Sequence, residues 1–455
     1  MNSLRHLALI FALSAPVLTL AQTVSQTLPN GLKIIVKEDR RAPVAVSQLW
    51  YKVGSVDEKQ GKSGLSHALE HMMFKGTQAV PSGEFNRRVA ALGGENNAYT
   101  NRSETVYYEN IAAANLPEVL KLEADRMHNL NFSDEEFQNE MNVIREERRQ
   151  RTEDTADGKL WEQVYLNSFT LPSMKAAVIG YMDDLHTLKA DDLRDWYRQY
   201  YAPNNAVLVI VGDVDAKKTL KTAAELFGNI PAKQQPDRNM LANEPFKREP
   251  VNFQTTSVVT RQPLVSLNYR VPGLESLDDR LPYALDVLSE ILSGNSSSRL
   301  DKNLIRGKQM ALSTGASYDL ISREMPLFSI FAMPADNVEV DAVIAELRRE
   351  LKDIAENGVS AEELNRIKAQ SEASEIYERD SMEAQASIIG RLEARGFEYS
   401  DEAEIRRRLK AVSVEDVQAA AQLLTDDRLA TVVVMPDPKI LYHPIVQAAN
   451  KPQPK

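Results

Sequence analysis

The stretch that decides both the fold and the chemistry of this chain is SHALEHMMFKG, residues 66–76. It holds two of the six histidines, His67 and His71, four positions apart, with Glu70 directly before the second. Because an α-helix has about 3.6 residues per turn, these three side chains share one helix face. The opposite face is predicted to pack on a core, since apolar residues recur there at helical spacing: Leu65, Ala68, Leu69, Met72 and Met73.

This spacing is typical of a metal site. Two imidazoles at positions i and i+4 can bind one ion from a single helical turn, and a carboxylate beside them can hold a water on that ion. Ser63 is predicted to cap the helix and Gly76 to end it. The alternative is an ordinary solvent-exposed polar face. The remaining histidines stand alone and are predicted to be structural or exposed: His6, His128, His186 and His443.

A second predicted helix, over residues 133–151, offers a third ligand. It begins with a capping box at Ser133, and its periodicity places Glu140 and Glu147 on the flank of the apolar stripe. Glu146 points away to solvent. A carboxylate held next to a core needs a partner, and a cation would supply one.

Composition limits the class of protein. With 455 residues and 43% hydrophobic content, the chain can build two or three compact cores. A formal net charge of −11 argues against nucleic-acid binding and against polybasic docking on a membrane. The chain has no cysteine, so a disulfide framework and a thiolate zinc site are both excluded, and a metal must be held by histidines and carboxylates.

Residues 1–21 are predicted to be a secretory signal peptide. Arg5 precedes the apolar run LALIFALSAPVLTL, and the small residues Thr19 and Ala21 stand before a cut ahead of Gln22. An uncleaved anchor is the alternative. No later stretch approaches the roughly 18–20 apolar residues of a transmembrane helix, so stable membrane insertion is not expected. An exported chain without cysteine and with a bacterial-style signal favours a Gram-negative periplasm.

Alternating strand and helix patterns, with a weak internal repeat, predict two related α+β domains. Residues 183–214 and 408–437 each show a helix followed by an apolar strand, and residues 132–150 and 359–377 each show a capped, charged helix. Each domain is predicted to be a mostly antiparallel sheet with packed helices.

The predicted domain boundaries follow from the amino-acid composition of the segment between the two copies of the repeat. The segment 229–250 is rich in Pro, Lys, Gln and Asn, as an interdomain linker should be. The two domains are accordingly placed at 23–235 and 250–441, with a linker at 236–249 and a tail at 442–455.

Several motifs together resemble the pitrilysin-type inverzincin peptidases, most closely the half-length branch that is similar to the mitochondrial processing peptidase. The order H-x-x-E-H is inverted relative to the commoner H-E-x-x-H. The resemblance covers nearly all of the chain after the predicted signal, in NGLKIIV, GKSGLSHALEHMMFKGT, LGGENNAYTNRSETVYY, EMNVIREE, YYAPNNAVLVIVGDV and SSSRL.

The resemblance implies a zinc-dependent endopeptidase with one Zn²⁺ per chain. His67, His71 and Glu147 would bind the zinc, Glu70 would be the general base on a zinc-bound water, and Glu140 would be a supporting acid that orients the site. The fold implied is one half of a clam-shell peptidase.

The resemblance also implies where a peptide substrate binds. From the residues alone, GGENNAYTNRSETVYYENI predicts a glycine turn followed by a pair of strands. In the family the strand after the glycines is an edge to which the substrate backbone adds as a further strand, which selects extended or unfolded peptides. The corresponding residues here are Asn96, Asn97, Ala98, Tyr99 and Thr100.

The chain departs from the family pattern in its second half. Family members carry an Arg and a Tyr that bind substrate and are separated by six intervening residues; Arg306 fits, but the tyrosine position is Ser313, and Tyr318 aligns with a later tyrosine. A serine is too short to reach a substrate carbonyl as a phenol would. We therefore expect a heterodimer whose partner subunit supplies the Arg and Tyr, with a homodimer as the alternative. The competing function is a non-catalytic scaffold or peptide-binding subunit of the same fold.

Overall fold

The computed structural model describes residues 22–238 and 243–441. The predicted signal peptide and tail therefore lie outside the described residues. The first sheet has six strands in the order β1-β2-β6-β3-β5-β4, of which only β2 and β6 are parallel. Its strands are β1 (Thr23–Thr27), β2 (Lys33–Glu38), β3 (Val44–Tyr51), β4 (Glu95–Thr100), β5 (Thr105–Ala112) and β6 (Ala206–Gly212).

The second sheet has five strands in the order β7-β11-β8-β10-β9, of which only β7 and β11 are parallel. Its strands are β7 (Val251–Ser257), β8 (Leu264–Arg270), β9 (Ala311–Ser317), β10 (Leu327–Pro334) and β11 (Leu429–Pro436). Apart from the extra strand β1, this is the order and direction of the first sheet. The prediction of two related, mostly antiparallel α+β domains is confirmed.

The helices surround these sheets. Those between the strands of the first sheet and directly after it are α1 (Leu65–Met72), α2 (Glu84–Ala91), α3 (Leu116–Asn129), α4 (Asp134–Arg148), α5 (Ala156–Ser168), α6 (Pro172–Lys175), α7 (Met182–Thr187), α8 (Ala190–Tyr200) and α9 (Ala216–Phe227). The later ones are α10 (Arg280–Ser293), α11 (Val340–Asn357), α12 (Ala361–Glu378), α13 (Met382–Arg395), α14 (Glu402–Ala411), α15 (Val414–Leu423) and α16 (Pro438–Leu441).

Each sheet is covered on its outer face by a helix from the other half of the chain. Helix α13 packs on β3 and β6, where Ile389 joins a buried cluster with Trp50, and a side chain at Gly390 would collide with that indole. Helix α5 packs on β8 and β11 through Leu160 and Val164. Helix α5 follows α4 in the first half of the chain, and α13 follows α12 in the second, so the two helices are equivalent in the repeat. Each packs on the sheet of the other domain, and this exchange interlocks the two domains.

The described part of the predicted linker is docked on the molecule. Glu244 is buried, and its carboxylate accepts hydrogen bonds of 2.8–3.0 Å from the backbone N–H groups of Thr170 and Leu171. Arg248 donates to the carbonyl oxygens of Asn167 and Phe169. The linker therefore adds to the contacts made by the exchanged helices. No helix in the described part of the chain is both long and apolar enough to cross a membrane.

Candidate metal centre

Helix α1 is positioned by the segment that precedes it. Gly64 is its N-cap and has a left-handed φ of 89°. The buried carboxylate of Glu58 accepts hydrogen bonds of 2.8 Å from the backbone N–H groups of Gly64 and Ser66. Burial raises the pKa of Glu58 to about 8, although these two donors oppose the shift.

The predicted ends of this helix were wrong. Ser63 is not the N-cap, because its hydroxyl donates to Asp184 Oδ2 at 2.5 Å, and the carboxylate of Glu58 occupies the helix N-terminus instead. The helix also ends at Met72, before Gly76. Neither difference moves the polar face.

Helix α4 brings a carboxylate to that face. His71 Nε2 lies 3.3 Å and His67 Nε2 lies 3.6 Å from Glu147 Oε2. Glu146, by contrast, is 54% exposed and pairs with Arg149 at 2.8 Å. Within the described residues, the single group of histidine and acidic side chains that could hold a metal ion is His67, His71 and Glu147, whose ligand atoms lie within 4.8 Å of one another.

The geometry of this group fits zinc. Donors on a tetrahedral zinc ion, about 2.0–2.2 Å from the metal, are about 3.3–3.6 Å apart. The two imidazole nitrogens lie 3.6 and 3.3 Å from the carboxylate oxygen here. Among the described residues Glu147 Oε2 and His67 Nδ1 are buried without a hydrogen-bond partner. A buried, unpartnered carboxylate oxygen between two imidazoles is costly unless a cation binds there.

A surrounding set of ionic contacts orients the three side chains. His71 Nδ1 lies 2.8 Å from Glu140 Oε1, and the other oxygen of Glu140 pairs with Lys75. Arg151 donates to Glu147 Oε1 at 2.7 Å, which leaves Oε2 turned toward the imidazoles. Contacts of this kind fix the orientation of a metal ligand.

The electrostatic environment shifts the pKa values of the two histidines in opposite directions. Burial, with the neighbouring His71, lowers the pKa of His67 to about 3. Burial also acts to lower the pKa of His71, but the carboxylates of Glu140 and Glu147 outweigh it and raise that pKa to about 9. The adjacent His71 in turn holds the pKa of Glu147 below its usual value. The pKa of each predicted ligand thus depends on the charge of its neighbours in the group.

Glu70, on α1, lies beside Thr100, the last residue of the strand β4 that is predicted to bind substrate. Burial raises the pKa of its carboxyl group above the usual value, and the Thr100 hydroxyl, which donates to Glu70 Oε2 at 2.5 Å, opposes that shift. Strand β4 is the last in its sheet. The backbone N–H of Asn101 donates to the carbonyl oxygen of Glu104 across the hairpin. Because successive N–H groups of a strand point to opposite sides, the N–H of Ala98 points to the free edge. There it donates to Asn97 Oδ1 at 2.8 Å.

Three residues singled out in the second half do not contact this group in the structure. Arg306 pairs with Asp301 at 2.9 Å, and Ser313 lies on the edge strand β9 opposite Met333. The hydroxyl of Tyr318 donates to the carbonyl oxygen of Pro272 at 2.7 Å, so this phenol is engaged in its own domain. Tyr318 is therefore poorly placed to replace the tyrosine missing at Ser313.

Sequence reasoning missed two supporting residues, Lys75 and Arg151, and the contact that Thr100 makes with Glu70. Lys75 follows His71 by one helical turn and Arg151 follows Glu147 by one turn, so an i, i+4 search from the predicted ligands would have found both. The bond between Thr100 and Glu70 joins a strand to a helix, and no local spacing signals it. The predicted roles of residues 96–100 and of Arg306 in substrate binding stay predictions.

Both domains of the chain match known proteins. Residues 33–178 match the family model described as Insulinase (Peptidase family M16), and residues 187–371 match the one described as Peptidase M16 inactive domain. The zinc protease PqqE of Helicobacter pylori is 31% identical over 372 residues, which is 80% of this chain and 81% of that protein.

Solved structures show the same architecture. A protease from Helicobacter pylori superposes with a TM-score of 0.86 at 28% identity, covering 92% of this chain and all of that one (100%). The periplasmic protease PqqL from Escherichia coli superposes with a TM-score of 0.75 at 21% identity and shares the fold; the match covers 91% of this chain but 47% of that protein. The chain thus corresponds to about half of that larger structure.

Proposed function

Because this chain belongs to the insulinase (M16) family of peptidases, we propose that it is a zinc-dependent endopeptidase that hydrolyses extended or unfolded peptides. The observation that carries the proposal is the convergence of His67, His71 and Glu147 around one buried, unpartnered carboxylate oxygen, with Glu70 one residue away from His71. Relatives named zinc proteases support the same class of chemistry.

The chain's own residues supply binding and proton transfer. His67, His71 and Glu147 would hold the zinc ion, which when bound polarises the scissile carbonyl and lowers the pKa of a coordinated water. Glu70 takes a proton from the attacking water as its oxygen bonds to the carbonyl carbon, and delivers that proton to the nitrogen as the C–N bond breaks. The hydrogen bond from Thr100 fixes the orientation of the Glu70 carboxylate.

The free edge of β4 supports a preference for extended peptides. An extended chain placed along this edge would pair with it as an additional strand, and its carbonyl oxygen would replace Asn97 Oδ1 as the acceptor of Ala98 N–H. A folded protein cannot offer a free strand of this kind. Peptide length and conformation would then decide cleavage more than side-chain identity.

The remaining parts of the proposal concern assembly and location. The half-length fold and Ser313 at the tyrosine position support a homologous partner subunit that supplies an Arg and a Tyr, with a homodimer as the alternative. The signal-like residues 1–21 support the periplasm as the site of action. Assaying the chain alone and mixed with a homologous subunit tests the first point, and full activity of the lone chain would remove the need for a partner.

Substitution of the general base tests the proposed function directly. Glu70→Gln should keep the zinc content of the wild type and lose peptide cleavage by about 100-fold or more, since it removes the proton acceptor alone. Glu146→Gln, on the exposed face of α4, is the matched control and should change neither. A variant that cleaves like the wild type would refute the role of Glu70, and a wild type that binds zinc and peptide without cleaving would support the scaffold function instead.

A further inference from the structure

Two consecutive residues of the second domain reach the two elements that carry the candidate site. Arg323 and Glu324 lie in the connection between β9 and β10. Arg323 bonds to Asp57, in the segment before α1, at 2.5 and 3.0 Å. Glu324 bonds to Arg102 and Ser103, in the turn between β4 and β5. We call these five residues and the side-chain bonds between them the latch: Asp57, Arg102, Ser103, Arg323 and Glu324.

The latch is buried, so its ionic contacts are poorly screened by solvent. The side chains of Arg102 and Glu324 are 12% and 10% exposed, and Arg102 Nε lies 3.2 Å from Glu324 Oε1. The Ser103 hydroxyl donates to the other oxygen of Glu324. Both carboxylate oxygens are thus engaged by the same turn of the first domain, which is the arrangement that fixes geometry rather than merely adding attraction.

Arg102 is also held by its own domain. It donates to the carbonyl oxygens of Met174 at 2.6 Å and Ala176 at 3.2 Å, and its guanidinium lies 4.2 Å from the centroid of the Tyr165 ring. Glu324 therefore meets a side chain whose position is already defined. The turn is anchored on one side by the first domain and on the other by the second.

From this turn the path to the candidate base is short. Thr100, whose hydroxyl bonds to Glu70, is two residues before Arg102 and pairs with Thr105 as the last rung of the hairpin. On the other branch, Asp57 is followed by Glu58, whose carboxylate bonds to the N-terminus of α1. Adjacent charges of the second domain thus contact the segment before the helix that carries Glu70 and the turn after the strand that bonds to it.

We propose that Glu324, with Arg323, is a positioning residue: the second domain holds the β4–β5 turn and the start of α1 so that Glu70 and the free edge of β4 keep the spacing that hydrolysis needs. This inference rests on the proposed peptidase function. It assigns a task to a domain whose own family model is described as inactive. Catalysis is sensitive to such spacing, since a misplacement of about 1 Å can cost about 100-fold in rate.

The experiment compares Glu324→Gln with Asp319→Asn in the full chain. Asp319 lies in the same connection, but its pair with Arg391 is half-exposed, at 48% for each side chain, so it is a matched control. Glu324→Gln should lower kcat about 10- to 100-fold with KM changed less, leave zinc affinity within about twofold, and speed amide hydrogen exchange in residues 100–104 at least about tenfold. Asp319→Asn should match the wild type in all four measurements.

A milder variant covers the case in which Glu324→Gln does not fold. Ser103→Ala removes one hydrogen bond to Glu324 and should give the same pattern at about 3- to 10-fold, as expected for a bond worth about 1 kcal/mol. The proposal is overturned if either variant folds and shows wild-type kcat and wild-type exchange in residues 100–104, or if exchange rises evenly over the whole chain. Failure of the wild type to bind zinc and cleave would refute the proposed function, whereas the exchange data would still decide on the latch.

Discussion

The two domains bring equivalent pairs of helices together, but the side chains between the two helices differ in kind. In the first domain His67 and His71 of α1 face α4 and meet Glu147. In the second, Asp286 and Glu290 of α10 have the same four-residue spacing and face α12 across a cavity of about 110 Å³. That cavity is also lined by the basic residues Lys368, Arg406 and Lys410. The second helix pair thus encloses a mixture of acidic and basic side chains in place of two imidazoles and a carboxylate.

The N-caps of α4 and α12 make this comparison residue by residue. Ser133 and Ser360 each accept a hydrogen bond from the backbone N–H of a Glu three positions later, at 3.1 Å in both helices. Counting from each cap, Ser374 stands at the position of Glu147 and Ile367 at that of Glu140. The helix pair therefore forms without the ligands, and the metal group is an addition to the fold rather than a requirement of it.

The largest expected effect is a difference in stability loss when the arginine of a Glu–Arg pair is replaced in α3 or in the equivalent helix α11. Arg126 and Glu123 are 2% and 0% exposed, whereas Arg349, which bonds to Glu346 at 2.5 Å, is 50% exposed. Arg126→Met should cost about 3–5 kcal/mol in the free energy of unfolding, because it leaves a buried carboxylate without its cation. Arg349→Met should cost only about 1 kcal/mol, because Arg349 is half-exposed and the buried Glu346 keeps its pair with Lys308 at 2.7 Å. Urea unfolding of both variants measures the difference, and equal losses would contradict the buried-pair argument.

The next effect concerns two neighbouring acids on α4. Glu147→Gln should weaken zinc binding by more than about 100-fold, because an amide oxygen replaces the one carboxylate that meets both imidazoles. Glu146→Gln should leave the affinity unchanged, since that side chain is exposed and pairs with Arg149. Titration against a chelator of known zinc affinity gives both values. Equal affinities in the two variants would mean that the metal lies elsewhere.

How far the sequence could predict this molecule follows from the range of each interaction. The face of α1 and the preference for Glu147 over Glu146 depend on positions within a few helical turns, and helical spacing was sufficient to derive them. The two-domain repeat was visible because the same helix-strand plan occurs twice. These are local or repeated signals.

What the sequence could not provide is set by long-range packing. The exchange of α5 and α13 joins residues such as Trp50 and Gly390, which are far apart in the chain and share no spacing rule. The contacts of Glu324 with Arg102 and Ser103 likewise join residues 222 and 221 positions apart in the chain. The roles of the site residues, the domain boundaries and the location of the protein stay predictions.

A smaller effect is expected when the support of a ligand is removed. Glu140 bonds to His71 Nδ1 at 2.8 Å, whereas the corresponding residue of the second domain is an isoleucine. Glu140→Gln should weaken zinc binding about 10- to 100-fold, as is usual when the partner of a metal-binding histidine is changed. Glu135→Gln, in the exposed first turn of the same helix, is the control. A loss as large as that of Glu147→Gln would make Glu140 a ligand itself.

The smallest effect should come from the second domain, where Glu290 stands in the cavity between α10 and α12. Burial raises its pKa above the ordinary value of 4.5, so ionisation of this carboxyl group opposes folding at higher pH. Glu290→Gln should leave zinc content and cleavage unchanged and raise the Tm slightly at neutral pH. Below about pH 4.5 both folded and unfolded wild-type chains carry the proton, so the gain should vanish there and grow as the pH rises. Differential scanning calorimetry across this range measures the change in Tm. A variant that lost stability or zinc would contradict this account of Glu290.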